Sequence, residues 1–243
     1  MINVDTENIS EEQISKFSLL PNNWQFFTKL DSKNKIGYYA IGDVLFSKES
    51  NASDIVSDEN KSKYHIGPDD GGLCEYVSLV MLYKYFHIYG KNNYFTQQQI
   101  KKYFRNGKLD QDNFEHVEPT RMENGEVIST AYDLWVANNR RFNLWYGSDL
   151  RRTTRNFVGN WVKDDYSVSW MHTSRPEQWI EKYKVPVIVV SGNYEHSFLI
   201  YGYDKVSNKY AVHLGWEDKH MKTIPALKLF SLLSLGYWYG IHE

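Results

Sequence analysis

Gly71-Gly-Leu-Cys-Glu-Tyr-Val-Ser-Leu-Val-Met-Leu-Tyr-Lys-Tyr-Phe-His-Ile-Tyr89 carries the only cysteine of the chain, Cys74, where two glycines give way to a long apolar run. Val77, Ser78, Met81, Leu82 and Tyr85 recur after Cys74 at the spacing of one helix face, so the stretch predicts a helix that starts at the cysteine. Unpaired N–H groups and the positive end of the helix dipole favour an anion there, which lowers a thiol pKa toward the nucleophilic thiolate. Gly71 and Gly72 lack Cβ atoms and let a ligand come close to the backbone. A free cysteine is also among the most buried residue types, so on this stretch alone an activated sulfur and a structural thiol are both open.

The rest of the composition narrows the class. The 243 residues are 42% apolar and 16% aromatic, enough for one sizeable core or two small ones, and the net charge of −2 is dispersed. No basic stripe points to nucleic acid. No apolar run approaches the ~20 residues of a membrane span. A single cysteine excludes an internal disulfide framework and makes a structural zinc site a poor fit, while His65 and His116 have no companions at metal-ligand spacing. Residues 1–14 lack a basic segment followed by an apolar one. The expected location is therefore cytoplasmic, or secreted or cell-surface in a bacterium if a signal peptide was removed.

Along the chain, Ser10 and Gln13 fit a capping box for a helix over 11–17, and residues 36–47 read as strand. Residues 48–63 form the most polar window, so residues 1–63 are expected as a leading segment, a pro-region or an accessory arm, and 64–243 as the main domain. Thr96 and Gln99 make a second capping box, for a helix to about 104. Helices are expected over 126–139, 151–161 and 176–183, the last with Pro176 in its first turn after a Ser174 cap. A short strand is expected over 142–147. Residues 185–191, 195–204 and 209–216 then read as three strands, and 225–242 as a helix running into an aromatic strand. Helices followed by closely spaced strands indicate an α+β domain with an antiparallel sheet.

Of eight histidines, only His196 lies within a strongly apolar strand near a glycine turn. From such a position an imidazole can take a thiol proton and return it to a leaving amine; it can also simply bond backbone at a strand mouth.

Gly-Leu-Cys74 with the apolar helix after it, Pro186-Val-Ile-Val-Val, His196-Ser-Phe-Leu-Ile-Tyr-Gly-Tyr-Asp and Tyr210-Ala-Val-His-Leu-Gly-Trp216 together resemble papain-like cysteine peptidases. The nearest likeness is to the bacterial streptopain and staphopain type and to the cysteine peptidases assigned in mycoplasmas. It covers about residues 66–220, in order and spacing. The resemblance implies a papain-like fold, with a helical half opened by the nucleophile helix packed against a twisted antiparallel sheet half. It makes Cys74 the nucleophile, His196 the base and His213 the residue aligned with the family's orienting Asn or Asp. It assigns Gly72, Leu73, Glu195 and Trp216 to oxyanion and substrate binding. The chain departs from the pattern at His213 and at Pro68, which stands where the family has an oxyanion-stabilising glutamine. The implied activity is hydrolysis of polypeptide substrates through an acyl-thioester without a cofactor. An acyltransferase or transglutaminase of the same fold and an inactive binding module are the alternatives.

Overall fold

In a computed structural model the described residues are 6–30, 74–117, 120–124, 126–139, 147–158, 170–171, 175–191, 196–215, 221–226 and 237–239. In chain order their elements are β1 (Glu7–Asn8), α1 (Glu11–Ile14), α2 (Gln25–Lys29), α3 (Cys74–Tyr89), α4 (Gln97–Tyr103), β2 (Thr120–Arg121), β3 (Val127–Ile128), α5 (Thr130–Ala137) and α6 (Gly147–Val158). Then come β4 (Trp170–Met171), α7 (Pro176–Tyr183), β5 (Val187–Ser191), β6 (His196–Asp204), β7 (Lys209–His213), β8 (Lys222–Pro225) and β9 (Tyr237–Tyr239). The chain is α+β, and it divides into two compact units, Met1–Asp31 with Asp165–Glu243, and Ser32–Asp164.

The first unit is built on a seven-stranded sheet ordered β1-β8-β7-β6-β5-β9-β4, with every neighbouring pair antiparallel. Phe198, Leu199, Ile200 and Tyr201 are consecutive in β6 and all fully buried, so both faces of the sheet are covered at its centre. Helix α7 packs on β5 and β6 and buries Trp179 and Ile180. It begins at Pro176 as expected, but its N-cap is Arg175, which has no side-chain cap bond; Ser174 lies outside the described residues. The expected strands shorten to 187–191, 196–204 and 209–213. Strand β8 went unread; it ends at Pro225, and Ala226, the next residue, is helical, where the sequence predicts a helix to begin. The aromatic strand is present as β9, between β5 and β4.

Residues 6–30, placed by sequence in a leading segment, are built into this unit. The Ser10–Gln13 capping box forms as predicted, yet α1 stops at Ile14 and not at 17. The chain is instead drawn toward Leu19, which exchanges both backbone hydrogen bonds with Tyr203 at 2.9 Å.

Among its described residues the second unit is helical with one short hairpin. The apolar residues after Cys74 predict a single buried face, but residues 75–86 are buried without a break. A helix that is apolar on nearly every side becomes the centre of its unit, and α3 does. Tyr83 stacks on Tyr94 at 5.3 Å and on Phe157 at 6.1 Å, and burial pushes its phenol well above the usual range. The Thr96–Gln99 capping box forms, and Gln99 Nε2 also donates to the Phe157 carbonyl at 2.9 Å. Residues 127–128, expected in a helix over 126–139, pair instead with 120–121 as a hairpin, because Ser129 caps the helix and forces it to start at Thr130. Helix α6 begins earlier than the predicted 151. The strand expected over 36–47 and the polar window 48–63 lie outside the described residues, as do residues 142–146 of the short strand expected there.

Candidate active site

Cys74 is the first residue of α3, a helix of 16 residues. Three or four main-chain N–H groups at such an end have no partner within the helix and point outward, which is the environment that favours a thiolate. The first turn is held from below. Tyr76 is fully buried, and its hydroxyl accepts from Asn138 Nδ2 at 2.8 Å. Asn138, at the C-cap of α5, accepts in turn from Arg152 Nη2 of α6 at 2.9 Å. Three helices thus meet in a polar chain at the turn that carries the cysteine.

Further along α3 lies Lys84, also fully buried, with its Nζ 3.3 Å from His116 Nδ1 and within 5.7 Å of the Phe104 ring centre and 5.6 Å of that of Phe114. His116 Nε2 lies 2.8 Å from Thr130 Oγ1. His116, judged from sequence to be without metal-binding companions, is therefore part of an internal polar link between α3 and the start of α5. Among the described residues no group of three or more His, Cys, Asp or Glu is placed to hold a metal ion. Among them, too, no helix is long and apolar enough to cross a membrane.

His196 is the first residue of β6, where it pairs with Ser191 of β5. It opens the central strand of the sheet unit, as the sequence places it. Gly72, Leu73, Glu195, Trp216 and Pro68 lie outside the described residues.

His213 closes β7 opposite Leu199 and is fully buried. Its Nδ1 accepts from the Gly215 N–H at 3.0 Å, and its Nε2 is 3.0 Å from the Leu30 carbonyl. An acceptor at Nδ1 and a donor at Nε2 define the neutral Nε2–H tautomer, and with it every polar group of the ring is engaged with main chain. Gly215 makes this possible with a φ of 75°, in the left-handed region. The orienting role expected for His213 would require one of those two bonds to be surrendered. Three residues earlier in β7, Tyr210 donates to Glu177 Oε2 at 2.7 Å while Arg175 Nε holds the other oxygen at 3.0 Å. Burial, and then the bond to Glu177, raise the Tyr210 phenol far above its usual range.

Sequence reading missed the Tyr76–Asn138–Arg152 chain and the Leu30 carbonyl. Asn138-Asn139 at a helix end carried a signal for the first, and Lys84 inside an apolar run carried one for its own network. Nothing local marks Leu30 as a partner of a residue 183 positions away. Comparison of the chain with protein-family models, with curated proteins and with solved structures gives no match.

Proposed function

We propose that the protein is a cysteine peptidase in which Cys74 is the nucleophile and His196 the base. The observation that carries the reading is the position of the sole cysteine at the N-terminus of a long helix whose following twelve residues are all buried. The start of a helix presents main-chain N–H groups and the positive end of the dipole, which favour a thiolate and an oxyanion placed beside it. His196, at the mouth of a strand paired on both sides, supplies the second group on an equally fixed element.

In the proposed reaction the Cys74 thiol passes its proton to His196, and the sulfur attacks the peptide carbonyl. The tetrahedral oxyanion accepts from the Cys74 main-chain N–H. On collapse the C–N bond breaks, the amine leaves with the proton from the imidazolium, and an acyl-thioester remains on Cys74. Water then adds, giving its proton to His196, and the carboxylic acid departs as the thiol is restored. Papain-like architecture belongs to this reading as its finer statement, over the α+β class already described. An acyltransferase would use the same first half and pass the acyl group to an amine.

The engagement of both His213 nitrogens with main chain favours a second reading, a binding module that no longer turns over. Alkylation by iodoacetamide separates the two, since Cys74 is the only thiol to react. A peptidase dyad gives a midpoint well below the ordinary ~8.5 of cysteine, and His196→Ala returns it toward that value. An unperturbed midpoint in the wild type, together with no cleavage of a peptide library that Cys74→Ala also leaves intact, would refute the peptidase reading.

A further inference from the structure

Residues 6–30 touch the sheet unit along their whole length. At the start, Glu7 and Asn8 pair with Thr223 and Lys222 of β8, and the Ile9 N–H donates to the Met221 carbonyl at 3.2 Å. Leu19 and Tyr203 exchange two backbone bonds. At the preceding residue of β6, Gly202, this segment leaves little room for a side chain: a Cβ there would lie 2.9 Å from Leu20 and 3.3 Å from Phe17, as well as 3.1 Å from Ala211 of β7. The Asn22 N–H donates to the Lys184 carbonyl at 3.2 Å, Phe27 stacks on Tyr201 at 5.4 Å, and the Leu30 carbonyl takes the His213 Nε2–H.

A segment that leaves during maturation must come away without dismantling what it covers. Removal here would expose Ile14, Phe26, Phe27 and Leu30, all buried, bare the β8 edge, and strand a buried imidazole N–H without its acceptor. We propose that residues 6–30 are a permanent strap of the sheet unit, so that scission of the chain between Leu30 and Cys74 leaves them in place and yields a two-piece particle. The surface that receives them is a binding surface for one occupant, this chain's own N-terminal segment. The inference holds whichever chemistry Cys74 performs.

The test supplies the chain as two separately translated pieces, a tagged 1–53 and an untagged 54–243, with the junction in the polar window. The pieces are co-expressed, captured on the tag, and followed by gel filtration with mass spectrometry. The expected result is one particle at micromolar concentration, which dissociates only at the urea concentration where its tryptophan fluorescence changes. Leu19→Pro in the small piece removes the N–H that meets Tyr203 and leaves the large piece untouched, so it should weaken retention at least tenfold. Lys16→Ala, on an exposed side chain, should not change it. Recovery of a folded large piece free of the small one would overturn the proposal, and so would equal retention of the Leu19→Pro and wild-type segments.

Discussion

Phe27→Ala is the sharpest probe of the way the N-terminal residues contribute to the fold. Phe27 is completely buried, stacked on Tyr201 with an interplanar angle of 23° and set edge-on to Phe26 at 5.2 Å. Taking the ring out of the core forfeits ~2–3 kcal/mol of transfer free energy. The aromatic pairs add ~0.5–1.5 kcal/mol, and the cavity left behind brings the total to ~3–5 kcal/mol. With a urea slope of ~2.5 kcal/mol per M for a chain of this size, the unfolding midpoint should fall by roughly 1–2 M. Tryptophan fluorescence and far-ultraviolet circular dichroism against urea provide the assay, with Lys16→Ala as the reference. Lys16 forms an exposed i,i+4 pair with Glu12, worth only ~0.3–0.5 kcal/mol, so its loss should move the midpoint by less than ~0.2 M. If the two variants unfold at the same urea concentration, Phe27 does not lie in the core and the account of residues 6–30 fails.

Burial holds the His87 imidazole below its usual range, and the Phe95 N–H donates to its Nδ1 at 3.2 Å, a bond only the neutral ring accepts. The folded state then refuses a proton that the unfolded chain takes up near pH ~6.5, so this contribution is whole above that pH and is lost as pH falls through the lower folded value. Urea midpoints measured from pH 7.5 downward should decline less steeply in His87→Gln than in the wild type. Tyr76→Phe leaves Asn138 Nδ2 without its acceptor and should cost ~1–3 kcal/mol. Paired with Asn138→Leu in a double-mutant cycle it should show a clear coupling energy, and additive losses would mean that the chain through Arg152 does not act as a unit. Thr96→Ala should cost ~1 kcal/mol by removing the cap of α4, measured by the same denaturation.

Local chemistry was legible wherever a few neighbouring residues settle it. Both capping boxes, the proline start of α7 and the helix beginning at Cys74 follow from short-range bonding, and the structure contains them. The three strands after Val185 were visible from β-branched and aromatic runs, and the bounds at Ser191, Asp204 and Lys209 were read correctly, but the start of β5 and the end of β7 were not, because pairing partners decide where a strand stops. Lys209 and His213 bound β7 through their partners on β6. Strand β8 escaped notice because four residues, Lys-Thr-Ile-Pro, carry too weak a pattern. It exists because β7 on one side and residues 7–8 on the other both offer it hydrogen bonds. The hairpin at 127–128 was misread for the opposite reason: Val127 continues the helical spacing of Ala131, Leu134 and Trp135, and only the cap at Ser129 overrules it. At the candidate site, sequence singled out Cys74 and His196, and the structure sets them at the start of α3 and of β6. Sequence did not reveal what holds their elements, since those contacts join residues far apart in the chain.

His213 shows how a departure from a motif and a long-range contact explain each other. An amide side chain at the end of β7 offers its donor and acceptor on one short planar group, and both point to the same side of the strand end. An imidazole carries its two nitrogens on different edges of a five-membered ring, so one residue can bond the Gly215 N–H two positions ahead and the Leu30 carbonyl on a separate segment. Asparagine in its place would reach one of these groups and leave the other buried without a partner, at ~1–3 kcal/mol. His213→Asn therefore tests both halves of the case at once. If the ring is there to lock residues 6–30 and the turn after β7, the variant should lose stability by about that amount and should not raise the reactivity of Cys74 toward iodoacetamide. A gain in thiol reactivity at unchanged stability would mean instead that the position serves the His196 ring and that its bonds to main chain are incidental.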